Sequence, residues 1–399
     1  MKRIFLGNER PLLHLTADYL IHQFYQQDRL DMRHVLLTLP EQRAVHRLEE
    51  ILAEKAEQID PAWYPPEFLT IGTLPEKFYE LKKDLANEPT RCFAWLFAID
   101  QLDEENPDLL RRLVSSPPAR SDFDARFALG RLFDKLHREL AAGTFSFIHV
   151  ADLCRTLNIE SERTRWKALD QLQKKYHAKL DSLNQWDVQS ARLYALDNPG
   201  EFESTHVQFQ KEHTQIVLAG LVDMNLAQKN MLRHFGDFIT SLVFAPEEWA
   251  DRFDDLGSLL PHVWQNVPLE MNDQQIHMVE SVDEQAEEVL RCLTGLQGEY
   301  APPEIIVGVP DKQVVPFIEQ SLERANIKTR IVAGKPIQQT PVYRFLETLL
   351  SFLESPAFVN FAALVRHPDV ESYVQRAFPQ SVRLISILDK YHTQHLPIE

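Results

Sequence analysis

The apolar positions of the N-terminal part switch between two periods. Ile4 to Leu6 is a short apolar run, and Leu13, Ala17, Leu20 and Phe24 then recur at the spacing of one helix face. Val35 to Leu39 predicts a second strand, stopped by Pro40, and Val45, Leu48, Leu52 and Ala56 line a second helix. Phe68 to Ile71 predicts a third strand. The order strand, helix, strand, helix, strand predicts a parallel sheet with right-handed crossovers. From about Leu74 to His213 the strand signal gives way to helical periodicity broken at Pro89, Pro107, Pro117 and Pro118, which reads as a helical insertion. The sheet pattern resumes at Gln215 to Val222, Asn225 starts a short helix running to Phe235, and Ser241 to Phe244 predicts a further strand.

A second alternation begins near Gln275. Strands are predicted at Ile276 to Glu280, Glu304 to Val309 and Lys328 to Val332. Between and after them, Ala286, Val289, Leu293 and Leu296, then Val315, Ile318, Leu322 and Ala325, then Tyr343, Leu346, Leu350 and Leu353 line helices. That pattern predicts a second parallel sheet. The expected class is α/β.

Composition narrows the function. At 399 residues the chain is long enough for two or three domains, and an apolar fraction of 44% supports real cores. With 12 glycines against 24 prolines and no low-complexity tract or internal repeat, it reads as a compact, helix-rich protein. Cys92, Cys154 and Cys292 are too scattered for a metal knuckle or a disulfide framework, which fits a reducing cytoplasm. The opening residues carry no signal-peptide pattern. Apolar stretches such as Phe93 to Ile99 are too short to span a bilayer. A net charge of -17 argues against indiscriminate nucleic-acid binding, although a basic channel within an acidic body remains compatible with it.

The candidate chemistry centres on LGNERPLLH, a strand-turn-helix with the layout of a phosphate loop. A working loop reads G-x-x-x-x-G-K-[ST]. Here Gly7 stands alone, and Glu9, Arg10, Pro11, Leu12 and Leu13 follow where the second glycine, lysine and hydroxyl belong. Arg10 offers a cation near a helix start, where anions are favoured, but beside Pro11 it reads first as a surface arginine. Asp223, just past the strand at Gln215, is either a displaced metal carboxylate or a helix-start residue. The 15 histidines form no H-E-x-x-H, there is no G-x-S-x-G, and no catalytic or metal-binding residue is assigned. Lys82 with Lys83, Arg111 with Arg112, and Lys174 with Lys175 sit among acidic residues and read as solvated helix faces. In GKPIQQTPVYRFLETLL, Gly334 allows close backbone approach, Lys335 adds charge, and Thr340 before Pro341 starts a strongly periodic helix.

The order of these pieces resembles the AddB/RexB-type subunit of bacterial helicase-nuclease complexes, a branch of the UvrD-like superfamily 1 helicases. The matching segments are RIFLGNE, HVLLTLPEQRAVHRLEEIL, PPEFLTIGTL, LVDMN, ESVDEQAEEVLRCL and the long stretch from IIVGVPDKQ to LLSFLES. The resemblance implies two RecA-like domains of P-loop type. The first would comprise residues 1–88 and 214–268, with its helical insertion at 89–213; the second would cover 269–355, and a further helical insertion would begin at 356–399. It also implies loss of ATPase function. Of G-x-x-G-x-G-K-T only Gly7 matches, and V-D-E-F-Q-D-T-N laid on Leu218 to Asn225 puts Ala219 on the magnesium aspartate and Gly220 on the catalytic glutamate. Gly7, Arg10, Ala219, Gly220 and Asp223 would then be a degenerate nucleotide site, while Thr38, Thr70, Gly334 and Lys335 would touch a nucleic-acid backbone.

By the same resemblance the chain would be a non-catalytic DNA-binding module in double-strand-break repair or recombination. It would act on DNA ends or single strands beside a helicase partner subunit. A PD-(D/E)XK nuclease using Mg, in some members with an iron-sulfur cluster, would follow residue 399; these residues hold neither motif. The alternatives are an active nucleotide-dependent hydrolase with an unorthodox loop and a scaffold that binds only protein.

Overall fold

The computed structural model describes residues 1–60, 62–268, 271–301, 304–332, 334, 336–378 and 384–395. The chain divides into two compact units, Met1–Pro268 and Leu269–Glu399.

The first unit is built on five strands: β1 (Lys2–Phe5), β2 (Val35–Leu39), β3 (Glu67–Thr70), β4 (Gln215–Ala219) and β5 (Ile239–Val243). They pair in the order β1-β5-β4-β2-β3, every pair parallel. The inner strands β2, β4 and β5 are almost continuously buried because helices cover both faces, whereas the edge strands β1 and β3 are only half-buried.

Side chains alternate across the sheet. Val35, Leu37 and Leu39 join Val217 and Ala219 under α1 (Leu12–Phe24) and α2 (Gln42–Ala56). On the opposite face, Leu36, Ile216 and Leu218 pack with Phe78, Phe209 and Phe235. Winding starts outward from β1 through β2 to β3 and returns through β4 to β5, so the two halves lie on opposite faces.

Between β3 and β4 comes the helical insertion: α3 (Glu88–Glu105), α4 (Pro107–Leu113), α5 (Phe123–Ala142), α6 (Phe147–Thr156), α7 (Glu160–Ser182), α8 (Val188–Asp197) and α9 (Gly200–Glu212). The helices start where side chains can accept their free amides. Asn87, Asp122 and Asp187 each cap a backbone N–H of the first turn. The core of the insertion centres on Trp95, stacked on Tyr176 at 4.1 Å between ring centroids. After β4, Asn225 and Gln228 form a capping box on α10 (Leu226–Arg233), the helix start expected from the sequence.

The second unit is different from the sequence expectation. It contains α11 (Val282–Gly295), α12 (Val315–Arg324), α13 (Pro341–Glu354), α14 (Phe358–Val365), α15 (Pro368–Ala377) and α16 (Leu384–His395). Its core is small, with Ala286, Val314, Ile318 and Leu322 at the centre. None of the segments Ile276 to Glu280, Glu304 to Val309 and Lys328 to Val332 forms a strand, and the expected second parallel sheet is absent among the described residues. Met278, Ile306 and Val332 are 91%, 87% and 67% exposed. Strand preference is realised only when a neighbour supplies the hydrogen-bond ladder and a face to pack on, and these runs have neither. Among the described residues no helix is long and apolar enough to cross a membrane.

Candidate functional site

Ligands of open α/β proteins bind at the carboxyl ends of the strands, where the winding direction reverses. Here that edge carries the turns after β1, β2, β3 and β4, and most of the candidate residues lie in them.

After β1 the chain turns through Gly7 into α1, a strand-turn-helix without the lysine and hydroxyl of a phosphate loop. Gly7 has φ 75°, a left-handed conformation that favours glycine. Its N–H, which would point at a phosphate, donates instead to the Ala245 carbonyl at 3.1 Å, and the N–H of Leu6 donates to the Val243 carbonyl at 2.9 Å. The Glu9 carboxylate folds back over Gly7, so close that a Cβ on the glycine would lie 2.3 Å from its Oε2. A carboxylate in that position repels an anion. Pro11 removes one amide from the start of α1.

Arg10 turns away along the helix and pairs with Asp18 at 2.9 Å, and Lys55 binds the same carboxylate. Burial works against ionising Asp18, but the bonds from Lys55 and Arg10 prevail and hold its carboxyl below the usual value. The Arg10 guanidinium is therefore already partnered.

The other candidate residues lie at and after the end of β4. Ala219 is buried beneath α1 and α2. Gly220 has φ 65°, and a Cβ there would lie 2.4 Å from Leu12 Cδ2. The first residue of α1 thus rests against Gly220, filling the place between the two loops with hydrocarbon. Asp223 is exposed and belongs to the turn before Asn225. A Cβ on Gly220 would meet Leu12 and one on Gly7 would meet Glu9, while Arg10 is held by Asp18.

The nucleic-acid residues expected from the sequence fare unequally. Thr38 is corrected: it is 0% exposed and shares the sheet face of Leu36, so no strand of nucleic acid can reach its hydroxyl. Period-two alternation turns that side chain into the core. Thr70 ends β3 half-exposed, and its hydroxyl lies 3.3 Å from that of Thr73 in the following turn. Gly334 is exposed at φ 73° with open space around it. Lys335 lies outside the described residues.

The turn holding Thr70 is fixed from behind. Arg192 on α8 forks onto the Glu76 carboxylate, its Nε donating at 2.7 Å and its terminal nitrogen at 2.9 Å, and it also donates to the Gly72 carbonyl at 2.6 Å. Gln228 on α10 donates to the Ile71 carbonyl at 3.0 Å. Sequence reading missed both anchors, because nothing in the spacing ties position 192 to position 76.

The basic pairs are spent on carboxylates. Lys82 meets Glu201, Lys83 meets Asp181, Lys174 meets Asp170, Lys175 meets Glu105 and Arg111 meets Asp108. Cys92 and Cys154 are buried, and burial pushes the Cys92 thiol up. Cys292 is exposed, beside His277 and Glu288. Three cysteines so placed do not fit a four-thiolate iron-sulfur cluster.

The fold also assembles a group that spacing did not reveal. His137, His177 and Asp187 come together inside the helical insertion with one ligand atom each lying within 4.8 Å of the others.

Comparison with protein-family models and with curated proteins gives no match for this chain.

Proposed function

We propose that this chain is a helicase-like module that has given up ATP hydrolysis and serves to bind DNA ends or single strands in double-strand-break repair or recombination. The observation that carries the reading is the state of the two loops. The strand-turn-helix after β1 is kept, left-handed glycine included, while Glu9 and Leu12 occupy the space that phosphate chemistry needs. A loop retained for the fold after losing its ligand is what an inactivated P-loop domain requires.

In this reading Thr70 and the turn at Gly334 and Lys335 contact the phosphate backbone, which fixes register without reading sequence. Mg and an iron-sulfur cluster would belong to a nuclease region outside these residues, and a helicase subunit would be the partner.

One observation favours a protein-binding scaffold instead: Val342, Leu346, Leu350 and Leu353 form an exposed apolar stripe on α13. The two readings separate in a gel-shift assay with single-stranded and blunt-ended oligonucleotides, run beside phosphate release from MgATP. Shifted oligonucleotide without phosphate release is expected. No shift at low salt would leave the scaffold, and DNA-stimulated release that disappears in Arg10→Ala would establish an active hydrolase.

A further inference from the structure

The helical insertion contains a buried imidazole, a half-buried one and a buried carboxylate that the nucleotide and DNA readings do not use. His137 comes from α5, His177 from α7, and Asp187 stands at the start of α8. From the convergence of these three donors we propose that His137, His177 and Asp187 form a site for a zinc-class divalent transition-metal ion.

The donor set suits such an ion. Two neutral imidazoles and one carboxylate are ligands of borderline hardness, and zinc accepts them at about 2.0–2.2 Å in tetrahedral geometry. That geometry puts donor atoms roughly 3.3–3.6 Å apart. His137 Nε2 and Asp187 Oδ1 are already 3.1 Å apart, and all three ligand atoms lie within 4.8 Å of one another. Small rotations of side chains therefore suffice to close the set.

The surroundings match what a metal ligand needs. Gln173 Nε2 lies 2.9 Å from His137 Nδ1, so the amide as placed donates to the ring. With its amide turned so that the carbonyl accepts, Gln173 fixes the proton on Nδ1 and leaves Nε2 free to bind, the outer support that ligating histidines ordinarily have. Ser190 Oγ, 3.1 Å from His177 Nε2 and 2.6 Å from Asp187 Oδ2, is placed to hold a metal-bound water or to act as the fourth ligand. Tyr176 is fully buried beside the group, and its hydroxyl makes no hydrogen bond of good geometry. A buried hydroxyl of that kind calls for a partner, which water on the ion would supply.

The consequence would be structural coupling. A metal here ties α5, α7 and α8 together, and α8 carries Arg192, which clamps the turn holding Thr70.

The test uses the full chain in a Cys292→Ser background, which disables the exposed group of His277, Glu288 and Cys292. After chelation and dialysis, Zn2+ is titrated calorimetrically, and Co2+ is added separately for its visible spectrum. One Zn2+ per chain, a rise in unfolding temperature and an intense tetrahedral Co2+ band are expected. His177→Gln should abolish all three, and Gln173→Leu should weaken Zn2+ binding about 10–100-fold with the helical content kept. Gln173→Leu also keeps the test decisive if His177→Gln fails to fold. No Zn2+ uptake by the parent, or uptake of equal affinity in folded His177→Gln or in Gln173→Leu, would show a hydrogen-bonded core network and overturn the proposal.

Discussion

Two glycines at left-handed φ distinguish backbone strain from steric pressure. At Gly220 an added methyl would meet only the end of the Leu12 side chain, which can swing aside. Gly220→Ala should therefore cost little more than the left-handed conformation itself, about 1–2 kcal/mol. Gly257, at φ 83°, leaves only 3.0 Å to Val243 Cγ2 and 3.2 Å to Ser241 Cβ, both anchored on β5. Gly257→Ala should add an overpacking cost of about 1–3 kcal/mol to the same strain. Urea unfolding checks the ranking; a larger loss in Gly220→Ala would mean that Leu12 is locked in place.

Buried histidines set the acid response. His177 and His213 are both held below the ordinary value of 6.5, chiefly by burial. As pH falls through that value the unfolded chain takes up protons before the folded one, so stability is lost from about pH 6.5 downward. Asp187, depressed in the fold, adds a second loss at lower pH, where its unfolded carboxyl protonates first. His177→Gln should flatten the decline in unfolding temperature between about pH 7 and 5, leaving the His213 share. An unchanged profile would remove His177 as a cause. At this scale the sequence could show that Gly7 lacks its lysine and hydroxyl partners, because that is a matter of identity. It could not show the inward turn of Thr38 or the meeting of His137 with Asp187, which depend on strand phase and on packing between distant helices.

Among elements, α8 joins the insertion to the sheet. Its Arg192 is buried, and removing it leaves the Glu76 carboxylate and the Gly72 carbonyl without their donor. Arg192→Met should cost about 2–3 kcal/mol, less than a fully buried pair because Glu76 keeps some contact with water. Hydrogen exchange in the turn from Thr70 to Glu76 should rise more than elsewhere; uniform protection would argue that Gln228 alone holds the turn. The helices and the first sheet were readable because their apolar periods are long and regular. The start of α10 was readable from Asn225, whose side chain caps it. The segments at 276–280, 304–309 and 328–332 misled because a short apolar run specifies a strand only where a neighbour offers a ladder.

At the scale of the molecule, a net charge of -17 sits on a fold in which Lys82, Lys83, Lys174 and Lys175 are all paired with carboxylates. Nucleic-acid binding by such a body has to be local and sensitive to salt, with a slope of log affinity on log salt near −0.7 for each single-strand phosphate contacted. Lys335→Ala should lower that slope by about 0.7 and weaken all sequences alike. The central claim, a DNA-binding fold whose nucleotide site is closed, is tested most directly by titrating a labelled single-stranded oligonucleotide with the full chain at low salt, with and without MgATP. Binding that weakens with salt and has the same affinity in both titrations is expected. Absence of binding, or an affinity that MgATP shifts, would contradict it.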